Sequence, residues 1–278
     1  CCRNPESAMT ACPAPLHQRS HGAAHVGLLP GPAGTRLDRL HQEGSAKAFI
    51  HSGASGPEVV FLNTSGGLAG GDTLAYRLDL ATGCQATATT QTAERAYCST
   101  CGPAHVTVRH VVGAGAHLDW LPQETILYDS SDLHRETTID LAEDASCLML
   151  EAVVLGRAAM GETLEDVTLR DTRRIMRAGR PVLIEPLHLV TDGLTAGAAV
   201  LGGARAFATL ALVAPGAVDA VGRARAELTE EGVTGGASGF DGKLVIRLMA
   251  GDGWPLKRQI MRLLRALRSG PLPRVWQI

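Results

Sequence analysis

Two cysteines and a histidine near the middle of the chain are candidate metal ligands. Cys98 and Cys101 form a Cys-x-x-Cys pair, and His105 follows four residues after Cys101. Thiolate and imidazole groups suit zinc and nickel, so these three residues could hold either ion. A structural zinc site normally needs a second ligand pair, and the sequence places none nearby. The alternative is that the two cysteines are small hydrophobic side chains without a metal.

Histidines also recur near the N-terminus. His17, His21 and His25 are spaced by four residues and follow Cys12, so on a helix the three rings would share one face. Prolines and a glycine interrupt this stretch and oppose such a helix. Residues 1–24 show no clear periodicity, and we expect them to form a poorly ordered segment.

Two glutamates stand in segments where a carboxylate could be functional. Glu151 lies in the apolar run 147–155, where a buried charge must be paired or used. Arg157 is its nearest candidate partner in the sequence. Glu151 and Glu124 could also form the carboxylate pair of a glycosidase. Sugar sites usually contain stacking aromatic rings, however, and this chain has only four Phe, three Tyr and three Trp. A buried Glu–Arg pair is therefore the preferred interpretation.

Several common catalytic motifs are missing from the sequence. It contains no phosphate-binding P-loop, no His-Glu-x-x-His helix and no Gly-x-Ser-x-Gly elbow. The Gly-Gly-Leu-Ala-Gly-Gly-Asp run at 66–72 lacks the spacing of a dinucleotide-binding loop, and a strand follows it instead of a helix. The run therefore predicts either a turn with φ above zero or close backbone packing, or a plain hairpin connection.

Charge and hydropathy restrict the partners of the protein. The formal net charge of −2, from 26 basic and 28 acidic residues, gives no general attraction to nucleic acid or to anionic membranes. No apolar stretch is long enough for a membrane span, and we find no signal peptide. The seven cysteines argue against a disulfide framework. We expect a cytoplasmic protein that binds neither nucleic acid nor membrane.

Short strands separated by glycine-rich turns dominate the pattern from His25 onwards. Residues 74–80 alternate apolar and polar side chains, which is typical of a half-buried strand, and 147–155 predicts a central strand. Helices are predicted only in the C-terminal third, at 195–206, 217–231 and 255–269. Arginines 258, 262, 265 and 268 share one face of the last helix, which we interpret as a solvated or protein-docking face. No linker divides the chain, which favours one domain over 25–278.

Four motifs resemble the urease accessory protein family UreD when they are taken together and in order. Residues 66–74 are similar to its Gly-Gly-x-x-Gly-Gly-Asp-x-Leu pattern, and 89–97 to its Thr-Thr-x-x-Ala-x-Lys-x-Tyr segment. Residues 120–126 resemble its Trp-Leu-Pro-Gln-x-x-Ile strand, and 151–162 its Glu…Leu-Gly-Arg…Gly-Glu segment. The tail at 271–276 is also similar. The positions that carry the resemblance include Gly66, Gly67, Gly70, Gly71, Asp72, Trp120, Pro122, Gln123 and Arg157.

The resemblance has one departure and several implications. The family commonly has Lys-x-Tyr-Arg where this chain has Arg-Ala-Tyr-Cys at 95–98, so the pair of Cys98 and Cys101 is not a family feature. The resemblance implies a mainly β fold, a helical stack of β-sheets with a few α-helices in the C-terminal third. It also implies a non-catalytic factor that acts with UreF and the GTPase UreG on apo-urease, with Ni²⁺ in transit and no tightly bound cofactor. Glu124 and Glu151 are the candidates for lining a nickel route. A β-fold carbohydrate-active enzyme that uses the same two glutamates is the alternative.

Overall fold

A computed structural model describes residues 19–32, 34–53, 56–157 and 160–277. The strands within these ranges are β1 His21–Gly31, β2 Gly34–Gly44, β3 Ala46–His51, β4 Glu58–Asn63, β5 Thr73–Leu80, β6 Gln85–Thr90, β7 Glu94–Ala96, β8 Ala104–Val112, β9 His117–Trp120, β10 Thr125–Leu127, β11 Ser131–Leu141, β12 Ser146–Leu155, β13 Val167–Arg177, β14 Arg180–Val190, β15 Ala206–Val213, β16 Val233–Phe240 and β17 Lys243–Ala250. The α-helices are α1 Thr191–Thr195, α2 Val221–Ala226 and α3 Gly253–Leu267. Short 3₁₀ helices cover Gly197–Ala199, Ala217–Ala220 and Arg274–Trp276.

The strands form two sheets. Sheet A has the order β14-β13-β11-β8-β5-β1-β2. Sheet B has the order β16-β17-β15-β12-β9-β6-β4-β3, and the short strands β7 and β10 join it beside β12. The predicted mainly β stack is confirmed.

The centre of the chain winds like a β-solenoid. From β5 to β12 the long strands enter sheet A and sheet B in turn, and each pairs in parallel with the strand of the preceding turn. Tight corners make this path possible. Gly83 and Gly115 stand at successive corners with φ of 71° and 63°, in the left-handed region that favours glycine. The Gly83 amide donates to the Ala114 carbonyl, so each corner rests on the next.

Antiparallel hairpins extend the solenoid at both ends. β1 and β2 pair over almost their whole length, and β13 and β14 do the same at the other edge of sheet A. In sheet B, β15, β17 and β16 continue from β12 as antiparallel strands. The sequence patterns do not predict these three C-terminal strands. β1 begins at His21, four residues before the predicted start of the strand pattern at His25. Residues 1–18, with His17 and Cys12, lie outside the described ranges.

The helix predictions have mixed outcomes. Helix α3 confirms the last one, and its N-cap is Asp252, whose side chain accepts a hydrogen bond from the Trp254 amide. The prediction of a helix at 195–206 is wrong. Only α1 and one 3₁₀ turn lie nearby, because Gly197, Gly202 and Gly203 take positive φ. The predicted helix at 217–231 is a 3₁₀ turn followed by the short α2. In the described ranges no helix is both long and apolar enough to cross a bilayer.

Two hydrophobic clusters hold these layers together. The larger cluster fills the space between sheets A and B and includes Phe61, Trp120 and Ile139. The second lies between the other face of sheet B and helix α3, and it includes Leu264 and Trp276. Sheet B is therefore covered on both faces, while the outer face of sheet A is open to solvent.

Candidate functional site

Glu151 lies at the centre of the molecule. It is 1% exposed, on β12, between the two sheets. Its Oε2 is 2.9 Å from Nη1 of Arg135 on β11, and Oε1 accepts hydrogen bonds from Trp120 Nε1 at 3.1 Å and Thr137 Oγ1 at 3.2 Å. The predicted pairing with Arg157 is wrong, because the arginine comes from the facing sheet. The carboxylate is nevertheless paired, as its apolar surroundings require.

A chain of ion pairs runs outward from Glu151. Arg135 also binds Asp171, with Nη2 2.6 Å from Oδ2, and Asp171 binds Arg173 at 2.6 Å. Arg173 continues to Glu185 at 3.0 Å. This series of ion pairs ends at Arg247, which lies 2.8 Å from Glu185 and has a side chain that is 65% exposed. The ion-pair chain is defined by Glu151, Arg135, Asp171, Arg173, Glu185 and Arg247.

The buried members of this chain stabilise each other's charged forms. Burial opposes ionisation of Asp171, but Arg135 and Arg173 outweigh it and lower the pKa of Asp171 below its usual value. Burial likewise opposes the charge on Arg135, yet Asp171 and Glu151 raise its pKa. Asp171 and Arg135 are therefore both held in their charged forms.

A small cavity borders the ion-pair chain. It lies between the sheets, has a volume of about 40 Å³, and is lined in part by Glu151, Arg135, Trp120 and Glu94. Burial raises the pKa of Glu94 to about 7, despite hydrogen bonds from the Asn63 side chain and the Arg95 amide. The cavity has room for about one water molecule. Glu94 is thus a second carboxylate at the same cavity as Glu151, and no sequence motif singles it out.

Glu124 does not share this cavity. Its Oε2 lies 3.4 Å from Lys257 Nζ on helix α3, and the carboxylate is 24% exposed. Lys257 also donates to Gln123 Oε1 at 2.7 Å, and Gln123 Nε2 donates to the Val275 carbonyl. The Trp276 indole donates to the Leu121 carbonyl at 2.9 Å. The segment from Trp120 through Pro122 to Gln123 therefore holds the C-terminal tail.

The glycine-rich loop acts through its backbone. Gly66 and Gly71 have φ of 82° and 87°, which confirms the predicted turn geometry. A Cβ at Gly67 would collide with the Tyr97 ring, and one at Gly70 would collide with the Gly102 carbonyl. These glycines are required by left-handed backbone at two positions and by close packing at the other two.

Asp72 closes this loop. It is 6% exposed, and its two carboxylate oxygens accept hydrogen bonds from the amides of Ser20 and Ala69, each at 2.8 Å. The carboxylate thus anchors the start of β1 to the loop. These hydrogen bonds give Asp72 a structural role that accounts for an aspartate at this position.

Residues from three separate motifs meet beside the loop. The Tyr97 hydroxyl donates to the Gly66 carbonyl at 2.9 Å, and the Tyr97 ring packs edge-on against Tyr128, with centroids 5.1 Å apart. Arg157 stacks on Tyr128 at 4.5 Å and forms an ion pair with Glu162 at 2.9 Å. We call Gly66, Tyr97, Tyr128, Arg157 and Glu162 the motif surface.

Comparison with known proteins shows which family shares these motifs. The family model described as "UreD urease accessory protein" matches residues 20–277. The chain belongs to the UreD family. A urease accessory protein UreD of Cereibacter sphaeroides strain ATCC 17025 is 60% identical over 263 residues, which cover 94% of this chain and 96% of the relative. Those of Paracoccus denitrificans and Dinoroseobacter shibae are 54% and 50% identical, over 94% and 99% of this chain and 93% and 98% of each relative. The resemblance found in the four motifs is confirmed.

The predicted metal ligands do not form a gathered site. Cys98 and Cys101 are exposed thiols, and Cys84 and Cys147 are buried and unpaired. His105 instead stacks edge-on with His134 on the outer face of sheet A, with ring centroids 5.3 Å apart. Among the described residues, no group of three or more His, Cys, Asp or Glu side chains is arranged to hold a metal ion. The prediction for Cys98, Cys101 and His105 is therefore not supported.

The arginine face of helix α3 matches its interpretation as a solvated face. Arg258 and Arg262 both bind Glu230, at 2.7 and 3.2 Å, and remain about half exposed, with side-chain exposures of 47% and 49%. Arg268 differs, because it folds under the helix end and binds the buried Asp119 at 2.7 Å. The last arginine of the stripe is thus a structural contact between the helix and sheet B.

Proposed function

We propose that this chain is a non-catalytic, cytoplasmic maturation factor that, with UreF and the GTPase UreG, helps to insert nickel into apo-urease. The observation that carries the proposal is the similarity to urease accessory proteins along nearly the whole chain. The motif surface supports it, because residues distant in sequence meet on one partly exposed patch without forming a catalytic arrangement. Such a patch suits protein docking better than chemistry.

A pull-down with UreF and urease subunits tests the docking role. The wild-type chain is expected to retain both partners. Arg157→Ala should weaken retention if the motif surface is a docking site, because this side chain is 43% exposed and stacks on Tyr128. Arg223→Ala on helix α2 is a matched control, since it also removes one exposed arginine. Failure of the wild-type chain to retain either partner would refute the proposal.

We also propose that Ni²⁺ in transit meets two carboxylates, the buried Glu151 and the partly exposed Glu124. Each now neutralises a cation, Arg135 or Lys257, so Ni²⁺ would have to displace it. Arg135 could release Glu151 because it keeps Asp171 and Thr125 as partners. Nickel content of urease matured with Glu151→Gln or Glu124→Gln measures this role directly.

The carbohydrate-active alternative gains no support from the geometry. A glycosidase needs two carboxyl groups that flank one sugar-sized cleft. Glu151 is buried beside a cavity of about 40 Å³, and Glu124, which is bound to Lys257, does not line that cavity. We do not propose this function.

A further inference from the structure

The exposed side of helix α3 carries a line of side chains that the proposed function does not use. Trp254, Arg258, Arg262 and Arg265 follow one another at intervals of three or four residues, so they form one stripe along the helix, about 16 Å long. We call these four residues the α3 stripe. All four are exposed to solvent. Tryptophan and arginine are the residue types that most often contribute strongly to protein interfaces.

A groove of about 340 Å³ borders the α3 stripe, and the buried Met261 and Glu230 complete its lining. Glu230 belongs to the loop that follows helix α2, and the buried Gln259 of α3 holds this loop in place. Gln259 Oε1 accepts hydrogen bonds from the amides of Thr229 and Glu230, at 3.1 and 2.9 Å. Its Nε2 donates to the Glu227 carbonyl at 2.7 Å. The groove is therefore already formed in the isolated chain.

Glu230 shows how the α3 stripe holds a carboxylate. Its Oε1 lies 2.7 Å from Nη2 of Arg258, and its Oε2 lies 3.2 Å from Nε of Arg262, so one carboxylate bridges two arginines a helical turn apart. Arg262 and Arg265 form the next pair of neighbours along the stripe. Arg265 is exposed and has no ion-pair partner within the described ranges. Three arginines thus share one carboxylate, and the second pair lacks one of its own.

We propose that the α3 stripe and its groove bind an acidic segment of a partner protein. A carboxylate of the segment bridges Arg262 and Arg265, and an apolar side chain of the segment packs on Trp254 and Met261. Complementary charge of this kind selects the partner and speeds association. The binding itself goes beyond the proposed function, and only the assignment of the segment to a member of the urease maturation complex rests on that function.

Carboxylates near the α3 stripe oppose a long polyanion on the same surface. Glu230 lies in the groove, Glu231 follows it and is exposed, and Asp252 is exposed at the start of α3. A nucleic-acid strand or an anionic membrane spreads negative charge over a larger area than the stripe and would be repelled by these carboxylates. The formal net charge of −2 adds no general attraction to either. A short protein segment with few acidic residues is therefore the occupant that fits.

Fluorescence anisotropy of a labelled synthetic peptide of glutamate and leucine, titrated with the full chain, tests the proposal. Arg265→Glu should weaken binding by about tenfold, because it replaces an attracting charge by a repelling one. Glu230→Gln should strengthen binding by about two- to fivefold, because it frees Arg258 and Arg262 from their internal carboxylate. Arg223→Glu on helix α2 is the matched control, since it makes the same change of charge at an exposed arginine that does not line the groove. It should bind the peptide as wild type does.

Tryptophan fluorescence shows where the peptide binds. Trp254 is 47% exposed, whereas Trp120 and Trp276 are each 1% exposed, so acrylamide quenches mainly Trp254. Bound peptide should reduce this quenching. Unchanged quenching, equal peptide affinity in Arg265→Glu and wild type, or an equally large loss in Arg223→Glu would overturn the proposal. Tighter binding of phosphatidylserine vesicles or single-stranded RNA than of the peptide would also overturn it, as would a dimer of this chain that Arg265→Glu dissociates.

The pull-down with UreF and urease separates this inference from the proposed function. A wild-type chain that retains both partners but shows no peptide binding that depends on Arg265 refutes the inference and leaves the proposed function intact. Failure of the pull-down with intact peptide binding does the reverse. Circular dichroism melts check that each variant is folded. Arg265→Gln, which removes the charge without reversing it, takes the place of Arg265→Glu if the melt of that variant changes.

Discussion

Replacing Glu151 by glutamine tests whether this carboxylate is needed for folding. The substitution keeps the shape of the side chain and can keep the hydrogen bonds from Trp120 and Thr137. It removes the negative charge 2.9 Å from Arg135 and places an amide donor against a guanidinium donor. Arg135, which is 7% exposed, then depends on Asp171, which must also neutralise Arg173.

The expected loss of stability follows from this arrangement. Breaking a buried ion pair by removing one partner costs about 3–5 kcal/mol. Arg135 keeps Asp171 and Thr125, so we expect about 2–3 kcal/mol for Glu151→Gln. At about 2–4 °C per kcal/mol for a chain of this size, the melting temperature should fall by about 4–12 °C. Glu124→Gln is the matched control, because its ion pair is partly exposed and such pairs contribute about 0–1 kcal/mol.

Thermal melts of these two variants, of Arg135→Gln alone, and of the double variant Arg135→Gln, Glu151→Gln provide the assay. The double variant removes both charges, so it should recover part of the loss, and the cycle gives the coupling energy. A Glu151→Gln protein that melts within about 1 °C of wild type would refute the reasoning. Nickel content per urease active site, measured well below the melt, separates the route from the fold. A folded Glu151→Gln protein that yields nickel-poor urease supports the route, whereas normal nickel content would exclude Glu151 from it.

Other predictions concern the glycine-rich loop, a buried histidine and catalysis. Gly71→Val should destabilise the protein by about 1 kcal/mol or more, because a β-branched residue opposes φ of 87°. Gly70→Val should have a similar effect, because its side chain would collide with the Gly102 carbonyl. Thermal melts equal to wild type would contradict both expectations. His110 is 0% exposed, its ring nitrogens have no hydrogen-bond partner among the described residues, and burial lowers its pKa to about 3. The unfolded chain protonates His110 below about pH 6.5 and the folded chain does not, so the free energy of unfolding decreases as the pH falls from about 6.5 towards 3. His110→Leu should remove about 2 kcal/mol of the difference in this free energy between pH 7 and pH 5. Urea unfolding at both pH values checks this. Asp72→Ala should cost about 1–3 kcal/mol, because the amides of Ser20 and Ala69 lose their acceptor, and a melt that does not change would exclude that role. The pure protein should turn over neither GTP nor glycosides, and steady turnover that an active-site substitution abolishes would refute this.

The sequence predicts elements well where one periodic face decides them. Helix α3 and strand β12 follow from their apolar patterns, and the turn at Gly71 follows from its glycine. Strands β15 and β16 are missed because small residues and glycines blur their alternation. β17 is a nearly continuous apolar run, and such a run does not by itself distinguish a strand from a buried helix. The helix predicted at 195–206 fails for a related reason, since three glycines there adopt conformations that a helix excludes.

The partner of Glu151 shows why sites are harder to predict than elements. Arg157 is closer in sequence, but Arg135 is on the strand that faces β12 across the core. A signal for Arg135 was present, because it shares the buried alternation of β11 with Leu133 and Ile139. The alternation of side chains along a strand thus shows that a charged residue points inward, but only the path of the solenoid determines which opposite charge it contacts.

Charge balance restricts how a metal ion could pass through the interior of this protein. The ion-pair chain contains three carboxylates and three arginines, so a divalent ion entering it adds two positive charges to a region that is already neutral. Glu94 can offset only part of this, since its pKa of about 7 leaves it partly protonated at neutral pH. Transit through the interior therefore requires an arginine to leave its carboxylate. We therefore expect an ion to enter the interior only when a partner protein moves Arg135 or supplies it with another acceptor.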